Sequence, residues 1–351
     1  MYTDAIMSAT SHQSLYRAYR PQKFSEVAGQ EQVVGALQEQ LKSGTVAHAY
    51  LFAGSRGLGK TSVARIFAKE LKISEKDLYE IDAASNNSVD DIRSLAENIY
   101  TLPFEGKYKL YILDEAHMLS KGAWNAFLKT LEEPPPYAIF VLATTELEKV
   151  PETVRSRCQV FEFRKPSREG LMKLVSSIAK KEGYTLETGV ADLVALLADG
   201  SYRDALSILE KVFSVSSDKH ISREEAEKAT GAPKSTLVSA LVTALHEGST
   251  DKALSSIRQA QHQDVDMSLY LALVLEAVRN VLLVRYAPEL RASLISELGE
   301  EYMATEALAS AQDSKLTHTT LKALLDASAR IRFSPIPALP LELAVMELYG
   351  E

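Results

Sequence analysis

The stretch Tyr50-Leu-Phe-Ala-Gly54-Ser-Arg-Gly-Leu-Gly-Lys60-Thr61 decides how this chain folds. It begins as a short apolar strand, continues as the pattern G-x-x-x-x-G-K-[ST], and leads into an amphipathic segment that predicts a helix over Thr61–Leu71. Glycines let the backbone curl so that several N–H groups face one anion, and the helix adds its positive N-terminal end. We therefore predict a phosphate-binding loop in which Lys60 reaches the β- and γ-phosphates and the Thr61 hydroxyl binds Mg²⁺. The loop residues are Gly54, Ser55, Arg56, Gly57, Leu58, Gly59, Lys60 and Thr61.

A second apolar strand, predicted over Lys109–Leu113, ends in the acidic pair Asp114-Glu115. Acids at the carboxyl end of a parallel strand lie where open α/β sheets bind ligands. We expect Asp114 to hold Mg²⁺, usually through water, and Glu115 to orient and deprotonate an attacking water. The alternative is a strand followed by a solvated acidic turn. His117 has no second His or Cys at ligand spacing, so a structural or coupling role is expected for it instead of metal binding.

Short apolar strands alternate with amphipathic helices up to about residue 165, which predicts βαβ units and a parallel sheet. After Phe163 the pattern becomes helical and the strands are expected to stop. We predict a flexible tail (1–14), a nucleotide-binding domain (15–167), a small helical lid (168–232) and an all-α domain (233–351). The predicted strands are Tyr50–Ala53, Tyr79–Asp82, Lys109–Leu113, Ala138–Ala143 and Gln159–Phe163.

Composition restricts the function classes. The 351 residues carry a net charge of −8, so a broad basic surface for binding DNA alone is excluded, although a local patch or an assembly is not. The single cysteine, Cys158, cannot form an intrachain disulfide or a four-cysteine zinc site. The N-terminus lacks the pattern of a signal peptide, and the run Leu271–Val284 is too short and too charged to span a membrane. We therefore expect a cytoplasmic protein.

Several further stretches resemble the clamp-loader ATPases of the AAA+ class, and they occur in the same order along the chain. These are Leu15–Pro21 with Phe24–Gln30, Ala143-Thr-Thr145, Arg155-Ser-Arg157-Cys158 and Gly200–Leu206. Asn125–Pro134 is also similar to the gamma/tau family of bacterial DNA polymerase III. The resemblance implies an AAA+ P-loop NTPase with a five-stranded parallel sheet, a helical lid and a C-terminal helical collar for oligomerisation. A strand that leads into the phosphate loop and a strand that ends in Asp114 agree with that fold.

The function implied by the resemblance is an ATP-driven motor subunit that loads a sliding clamp onto primed DNA. ATP and Mg²⁺ would be its cofactors, and a DNA polymerase label would describe the holoenzyme. Its partners would be delta-type and delta-prime-type subunits in a pentameric hetero-oligomeric ring, the clamp and primer–template DNA, with no membrane. The alternatives are a nucleotide-binding stator subunit and another AAA+ remodelling ATPase. The intact motif of Lys60 and Glu115 speaks against the stator.

The resemblance also implies roles for residues outside the loop. Arg157 would act as an arginine finger in a neighbouring subunit's site, where the alternative is a surface ion pair. Arg203, in the first turn of a helix capped by Ser201, would act in its own subunit unless it is merely solvated. Thr145 would sense the γ-phosphate or hold the attacking water, or else cap the strand. Arg20, Pro21 and Val27 match positions that resemble the family's adenine-binding edge.

The chain departs from the family in one segment. Gamma/tau subunits usually carry a four-cysteine zinc module between the P-loop helix and the second strand, whereas residues 70–79 contain no cysteine. We therefore predict no zinc. The long tau extension is absent as well, which suggests either a short gamma-like form or a trimmed chain. Helix N-termini after Ser88 and Ser120 could contact DNA phosphates, but ordinary helix capping explains these serines equally well.

Overall fold

The computed structural model describes residues 13–216, 218–298 and 301–350. Residues 1–12, most of the predicted tail, lie outside this range. The chain forms two compact units, of which the first extends up to Val175 and includes Val194–Glu210. The second comprises Ser176–Leu193 and the chain from Lys211 onward. This division follows different limits from the predicted domains, whose boundaries at 167/168 and 232/233 stay predictions.

A five-stranded parallel sheet organises the first unit, in the order β2-β3-β4-β1-β5. All five strands were predicted from the sequence, to within a residue at most ends. Because β1 lies between β4 and β5, the loop that follows β1 opens one strand in from the β5 edge of the sheet. The strands are β1 (Ala49–Ala53), β2 (Leu78–Asp82), β3 (Lys109–Asp114), β4 (Ala138–Thr144) and β5 (Gln159–Glu162).

Helices cover both faces of this sheet. Alternate strand residues point to opposite faces, so Phe52 and Ile112 share one core with Phe67 of α3. Leu51 and Leu113 belong to the other core, on the side of α4 and α5. Both faces of the sheet are therefore buried from solvent, which explains the continuous apolar runs of the central strands. The helices are α1 (Leu15–Ala18), α2 (Glu31–Ser43), α3 (Lys60–Glu70), α4 (Val89–Ile99), α5 (Lys121–Glu132) and α6 (Glu152–Arg155).

The region after the sheet is mainly helical, as predicted, but the expectation that strands stop after Phe163 is wrong. Residues Thr185–Leu186 (β6) and His220–Ile221 (β7) pair as a small parallel ribbon. Two residues per strand are too few to produce an alternating pattern, and the partners lie far apart in the chain. The helices here are α7 (Arg168–Lys181), α8 (Val190–Leu197), α9 (Tyr202–Phe213) and α10 (Arg223–Thr230).

Only helices follow among the described residues beyond Gly231. The longest, α13, has 20 residues and by length and composition alone could cross a membrane, so the estimate that this run is too short was wrong. Its Tyr270, Leu271 and Val274 lie in the core of the second unit, as expected for a core helix of a folded domain. The helices are α11 (Ser235–Glu247), α12 (Thr250–His262), α13 (Met267–Tyr286), α14 (Arg291–Leu298), α15 (Glu301–Ser310), α16 (His318–Ile331) and α17 (Leu339–Tyr349).

The bridge between α3 and β2, where the family resemblance leads one to look for a zinc module, is held by a carboxylate. Asp77 is fully buried and accepts the backbone N–H groups of Phe104 at 2.6 Å and Glu105 at 2.7 Å. Ser74 and Lys76 bond to the Glu105 carboxylate at 3.1 and 3.2 Å. No cluster of three or more His, Cys, Asp or Glu suited to a metal occurs in the described part of the chain. Side-chain hydrogen bonds therefore hold this bridge, and the absence of zinc stays a prediction.

Candidate nucleotide site

The loop between β1 and α3 has the backbone that a phosphate-binding loop needs. Gly54, Gly57 and Gly59 all have positive φ angles, of 146°, 78° and 93°. A Cβ at Gly54 would lie 2.6 Å from the Phe163 carbonyl oxygen, so a larger residue does not fit there. Gly59 precedes the first turn of α3, which turns the N-terminal end of that helix toward the loop.

The Lys60 side chain is buried inside this loop. Its ammonium donates to the carbonyl oxygens of Gly54 at 2.5 Å and Ser55 at 2.8 Å. Burial lowers the pKa of Lys60, and the Arg203 charge lowers it further, while Glu115 and Asp114 act in the opposite direction. The Lys60 ammonium is thus held inside the loop, where it could pair with the negative charge of a bound phosphate.

The acidic pair lies beside the loop. Thr61 donates its hydroxyl to the Asp114 carboxylate at 2.9 Å, across a separation of 53 positions in the sequence. Glu115 follows with a left-handed backbone (φ 48°, ψ 45°), and its carboxylate accepts the Thr145 hydroxyl at 3.1 Å. The ends of β1, β3 and β4 therefore bring Lys60, Thr61, Asp114, Glu115 and Thr145 to one edge of the sheet. A hydroxyl and a carboxylate within hydrogen-bond distance of each other are suitable oxygen ligands for one Mg²⁺ ion.

Two arginines add positive charge to the same edge. Arg20 donates from Nε to the Ser62 hydroxyl at 2.9 Å, next to Thr61 on α3. Burial lowers the pKa of Arg20, the charges of Arg65 and Arg203 also lower it, and Glu80 and Asp114 oppose them. The structure thus places the Arg20 side chain beside the first turn of α3, and its assignment to the adenine edge stays a prediction. The exposed Arg203 guanidinium lies 5.9 Å from the centre of the Tyr16 ring.

The other two predicted adenine-edge residues lie in the segment before α2. Val27 is half-buried against the core that contains Phe67, and Pro21 is also half-buried. Tyr202, at the start of α9, donates its hydroxyl to the Ala28 carbonyl oxygen at 2.8 Å. Burial raises the pKa of Tyr202 to about 12, so the hydroxyl stays a donor at neutral pH. The first turn of α9 is thereby attached to the predicted edge.

Arg157 lies away from these residues. It precedes β5, at the amino-terminal edge of the parallel sheet, whereas Lys60 follows β1 at the carboxyl edge. Its guanidinium donates to the Glu132 carboxylate at 2.6 Å and to the Thr153 carbonyl oxygen at 2.7 Å. The fold therefore separates Arg157 from the phosphate loop of its own chain.

The serines before α4 and α5 act as helix caps. Ser88 forms a capping box with Asp91, and hydrogen bonds from Ser88 lower the pKa of that carboxyl. Ser120 accepts the N–H of Ala123 at 3.2 Å. Capping, the alternative considered from the sequence, accounts for both serines.

Sequence reasoning did not anticipate four side chains near the site. Ser62 and Tyr202 sit next to the predicted residues Thr61 and Arg203, and that adjacency was the available signal. Tyr16 lies within the Leu15–Pro21 stretch. Thr144, buried at the end of β4, binds the ring of His117, and only the tertiary structure shows that contact.

Comparison with known proteins supplies the remaining observation. The family model described as DNA polymerase III, delta subunit matches residues 29–83 and 71–167, and the model for DNA polymerase III subunits gamma and tau domain III matches residues 221–350. DNA polymerase III subunit gamma of Buchnera aphidicola subsp. Schizaphis graminum is 30% identical, over 97% of this chain and 99% of that protein. DNA polymerase III subunit tau of Bacillus subtilis is 40% identical, over 81% of this chain and 54% of the relative.

The Escherichia coli K12 tau subunit is 36% identical over 79% of this chain and 46% of its own length. The chain thus spans about half the length of the tau relatives. Among solved structures, the Thermotoga maritima RuvB Holliday junction branch migration motor aligns with a TM-score of 0.52 and 20% identity, covering 80% of this chain and 85% of that one. At this identity the likeness extends to the fold alone, and it confirms the predicted AAA+ architecture.

Proposed function

The chain belongs to the DNA polymerase III gamma/tau family, and from that premise we propose that it is an ATP-driven motor subunit of a clamp loader. It binds and hydrolyses ATP in order to place a sliding clamp on primed DNA. The observation that carries this proposal is the meeting of Lys60, Thr61, Asp114 and Glu115 at one edge of the sheet. A protein that only binds nucleotide has no need for a carboxylate placed to activate water.

Each residue of this edge has a task in hydrolysis. The loop N–H groups and Lys60 bind the β- and γ-phosphates, and Arg20 adds a cation next to Thr61. Glu115 orients and deprotonates the attacking water, with Thr145 holding its carboxylate. Thr61 and Asp114 would hold Mg²⁺, which neutralises phosphate charge when it is bound. Arg203 contacts the phosphates from its own subunit, while Pro21 and Val27 border the adenine.

Arg157 completes the site of a neighbouring subunit. Its place before β5, at the opposite edge of the sheet from Lys60, supports action in trans, because the fold holds it away from the phosphate loop of its own chain. A rigid, permanently charged guanidinium stabilises negative charge that develops on the γ-phosphate, an effect of about 10³–10⁵ in rate. Hydrolysis and subunit assembly are coupled as a result.

This role implies an assembly. We infer a pentameric cytoplasmic ring with delta-type and delta-prime-type subunits, in which the C-terminal helices form the collar and the clamp and primer–template DNA are partners. The names of the relatives support membership in DNA polymerase III. We assign this chain ATPase activity only, and the word polymerase describes the holoenzyme. We also propose that the chain works without zinc, since Asp77 holds the bridge where the module would stand.

The test is the ATPase rate of the complex with its partner subunits, measured with and without sliding clamp and primed DNA. Strong stimulation by clamp and DNA together, lost in Glu115→Gln while ATP still binds, is the expected result. A rate indifferent to both ligands would remove clamp loading and favour a remodelling ATPase. ATP binding without any turnover in the wild type would instead identify a stator subunit.

A further inference from the structure

We propose that His117 is a positioning residue, which limits where the Glu115 carboxylate can lie because its own ring is fixed by Thr144 and Glu146. The inference deepens the proposed function and rests on its ATP hydrolysis, though not on its clamp loading. Nothing in the roles assigned above uses this imidazole, although it lies two residues after Glu115.

The His117 ring is enclosed by polar partners on both sides. Only 7% of its side chain is exposed. Nδ1 lies 3.1 Å from the Thr144 hydroxyl and 3.5 Å from the Glu115 carboxylate. Nε2 lies 3.3 Å from the Glu146 carboxylate. A buried imidazole between two carboxylates is a specific arrangement, because a histidine that only fills space needs no acid at either end.

The hydrogen bonds around the ring form a closed set. Glu146 is paired with Lys149, whose hydrogen bond is the first cause that lowers the pKa of Glu146. The carboxylate is therefore an acceptor only, and Nε2 carries a proton toward it. Nδ1 then accepts a hydrogen bond from the Thr144 hydroxyl at 3.1 Å, and the Thr144 oxygen accepts the backbone N–H of Glu146 at 3.1 Å. With Nδ1 occupied in this way, the ring restricts the neighbouring Glu115 carboxylate by contact and not by a hydrogen bond. A fully satisfied buried network of this kind restrains every member.

The consequence for Glu115 is a defined carboxylate position. Thr145 and His117 lie next to the same carboxylate oxygen of Glu115, at 3.1 and 3.5 Å, and together they restrict where that oxygen can move. A general base must lie within hydrogen-bond reach of the water it activates. A displacement of about 1 Å can cost about 100-fold in rate. Loss of His117 is therefore expected to slow hydrolysis although the ring touches no phosphate-binding residue.

The experiment compares His117→Leu, His117→Gln and Glu146→Gln in the full chain assembled with its partner subunits. Glu148→Gln is the matched control, because Glu148 lies exposed in the same turn. Single-turnover hydrolysis at saturating ATP and binding of a fluorescent ATP analogue are measured for each. We expect His117→Leu to slow hydrolysis by about 10–100-fold with ATP affinity changed less than about twofold. His117→Gln retains one hydrogen-bond donor, so its hydrolysis rate should lie between those of His117→Leu and the wild type. Glu146→Gln should slow hydrolysis less than His117→Leu does. The control variant should hydrolyse ATP at the wild-type rate.

Several results would contradict the positioning role itself. Unchanged turnover in His117→Leu, or equal losses in Glu146→Gln and Glu148→Gln, would overturn it. If His117→Leu does not fold, His117→Gln and Glu146→Gln decide alone. If hydrolysis depends on His117 but is not stimulated by clamp and DNA, the positioning role holds and clamp loading is excluded. If the wild type does not hydrolyse ATP at all, the positioning role and the proposed ATPase function are both overturned.

Discussion

Arg157 and Lys60 lie at opposite edges of one parallel sheet, and this separation has a consequence at the scale of single residues. Arg157 pairs with Glu132, with 35% and 50% of the two side chains exposed. A surface pair of this type contributes about 0–1 kcal/mol to stability. The ion pair with Glu132 therefore contributes little to folding stability, and the proposed role of Arg157 is in catalysis.

Replacing Arg157 with Ala should abolish clamp-stimulated ATPase, by about 10³-fold or more, and leave ATP affinity nearly intact. The arginine meets the γ-phosphate of a neighbour only as charge develops there, so ground-state binding changes little. Steady-state ATPase of the assembled complex measures the first effect and equilibrium nucleotide binding the second. Glu132→Gln is the control, since it breaks the ion pair and keeps the arginine. Equal effects of the two substitutions, or loss of ATP binding in Arg157→Ala, would exclude the trans role.

At the scale of elements, the bridge between α3 and β2 depends on one carboxylate. Asp77→Asn should release the loop over 100–106, because an amide offers one acceptor where Phe104 and Glu105 present two N–H donors. We expect a loss of about 1–3 kcal/mol in stability. Faster hydrogen exchange at the amides of residues 104 and 105 measures it directly. Glu75→Gln, an exposed acid of the same turn, is the control. Unchanged exchange in Asp77→Asn would show that the carboxylate does not hold this loop.

A second element, α15, depends on an arginine from α13. Arg285 donates to the carbonyl oxygens of Ala309 at 3.0 Å, Leu308 at 3.1 Å and Leu316 at 2.7 Å. These carbonyls include the C-terminal end of α15, where a cation is favourable. Arg285→Lys cannot bond all three and should lower the free energy of unfolding by about 2–3 kcal/mol, measured by denaturant unfolding. Arg279→Lys, exposed on the same helix, should change it by less than about 0.5 kcal/mol. Similar losses in both variants would contradict the capping role of Arg285.

At the scale of the whole molecule, a ligand that binds only the folded state stabilises it by mass action. ATP with Mg²⁺ at about 100 times the dissociation constant should add about 2.7 kcal/mol and raise the thermal midpoint by several degrees. Lys60→Ala should remove the shift, because a buried cation inside the loop is lost. Differential scanning fluorimetry measures the midpoint. A full shift in Lys60→Ala would mean that the nucleotide binds somewhere other than the loop after β1.

The net charge of −8 belongs to this scale as well. A chain with this charge would bind DNA through local groups or through neighbours in an assembly, not through its overall field. The capped helix ends at Ser88 and Ser120 are local groups of that kind, and their hydrogen bonds are already satisfied within the chain. Assembly is thus part of the proposed function.

Local sequence patterns were enough to predict most strands and helices near the site and the residue types that each one presents. Glycine spacing, a strand before it and a helix after it predict the phosphate loop, because positive φ angles and helix ends are local properties. The five strands are predicted from short apolar runs, which are also local. The acidic pair Asp114-Glu115 is recognised because it stands at the end of one such run. The small ribbon of β6 and β7 was not predicted, because a strand of two residues shows no alternation of apolar and polar residues.

Which residues come into contact depends on the three-dimensional fold. The order of the strands brings Thr61 to Asp114 and separates Arg157 from both, and no local pattern encodes that order. The contacts of His117 with Thr144 and Glu146, and of Asp77 with the loop that contains Phe104, likewise join segments from different elements. Local conformation depends on each residue and its near neighbours, whereas these meetings depend on how both faces of the sheet become buried.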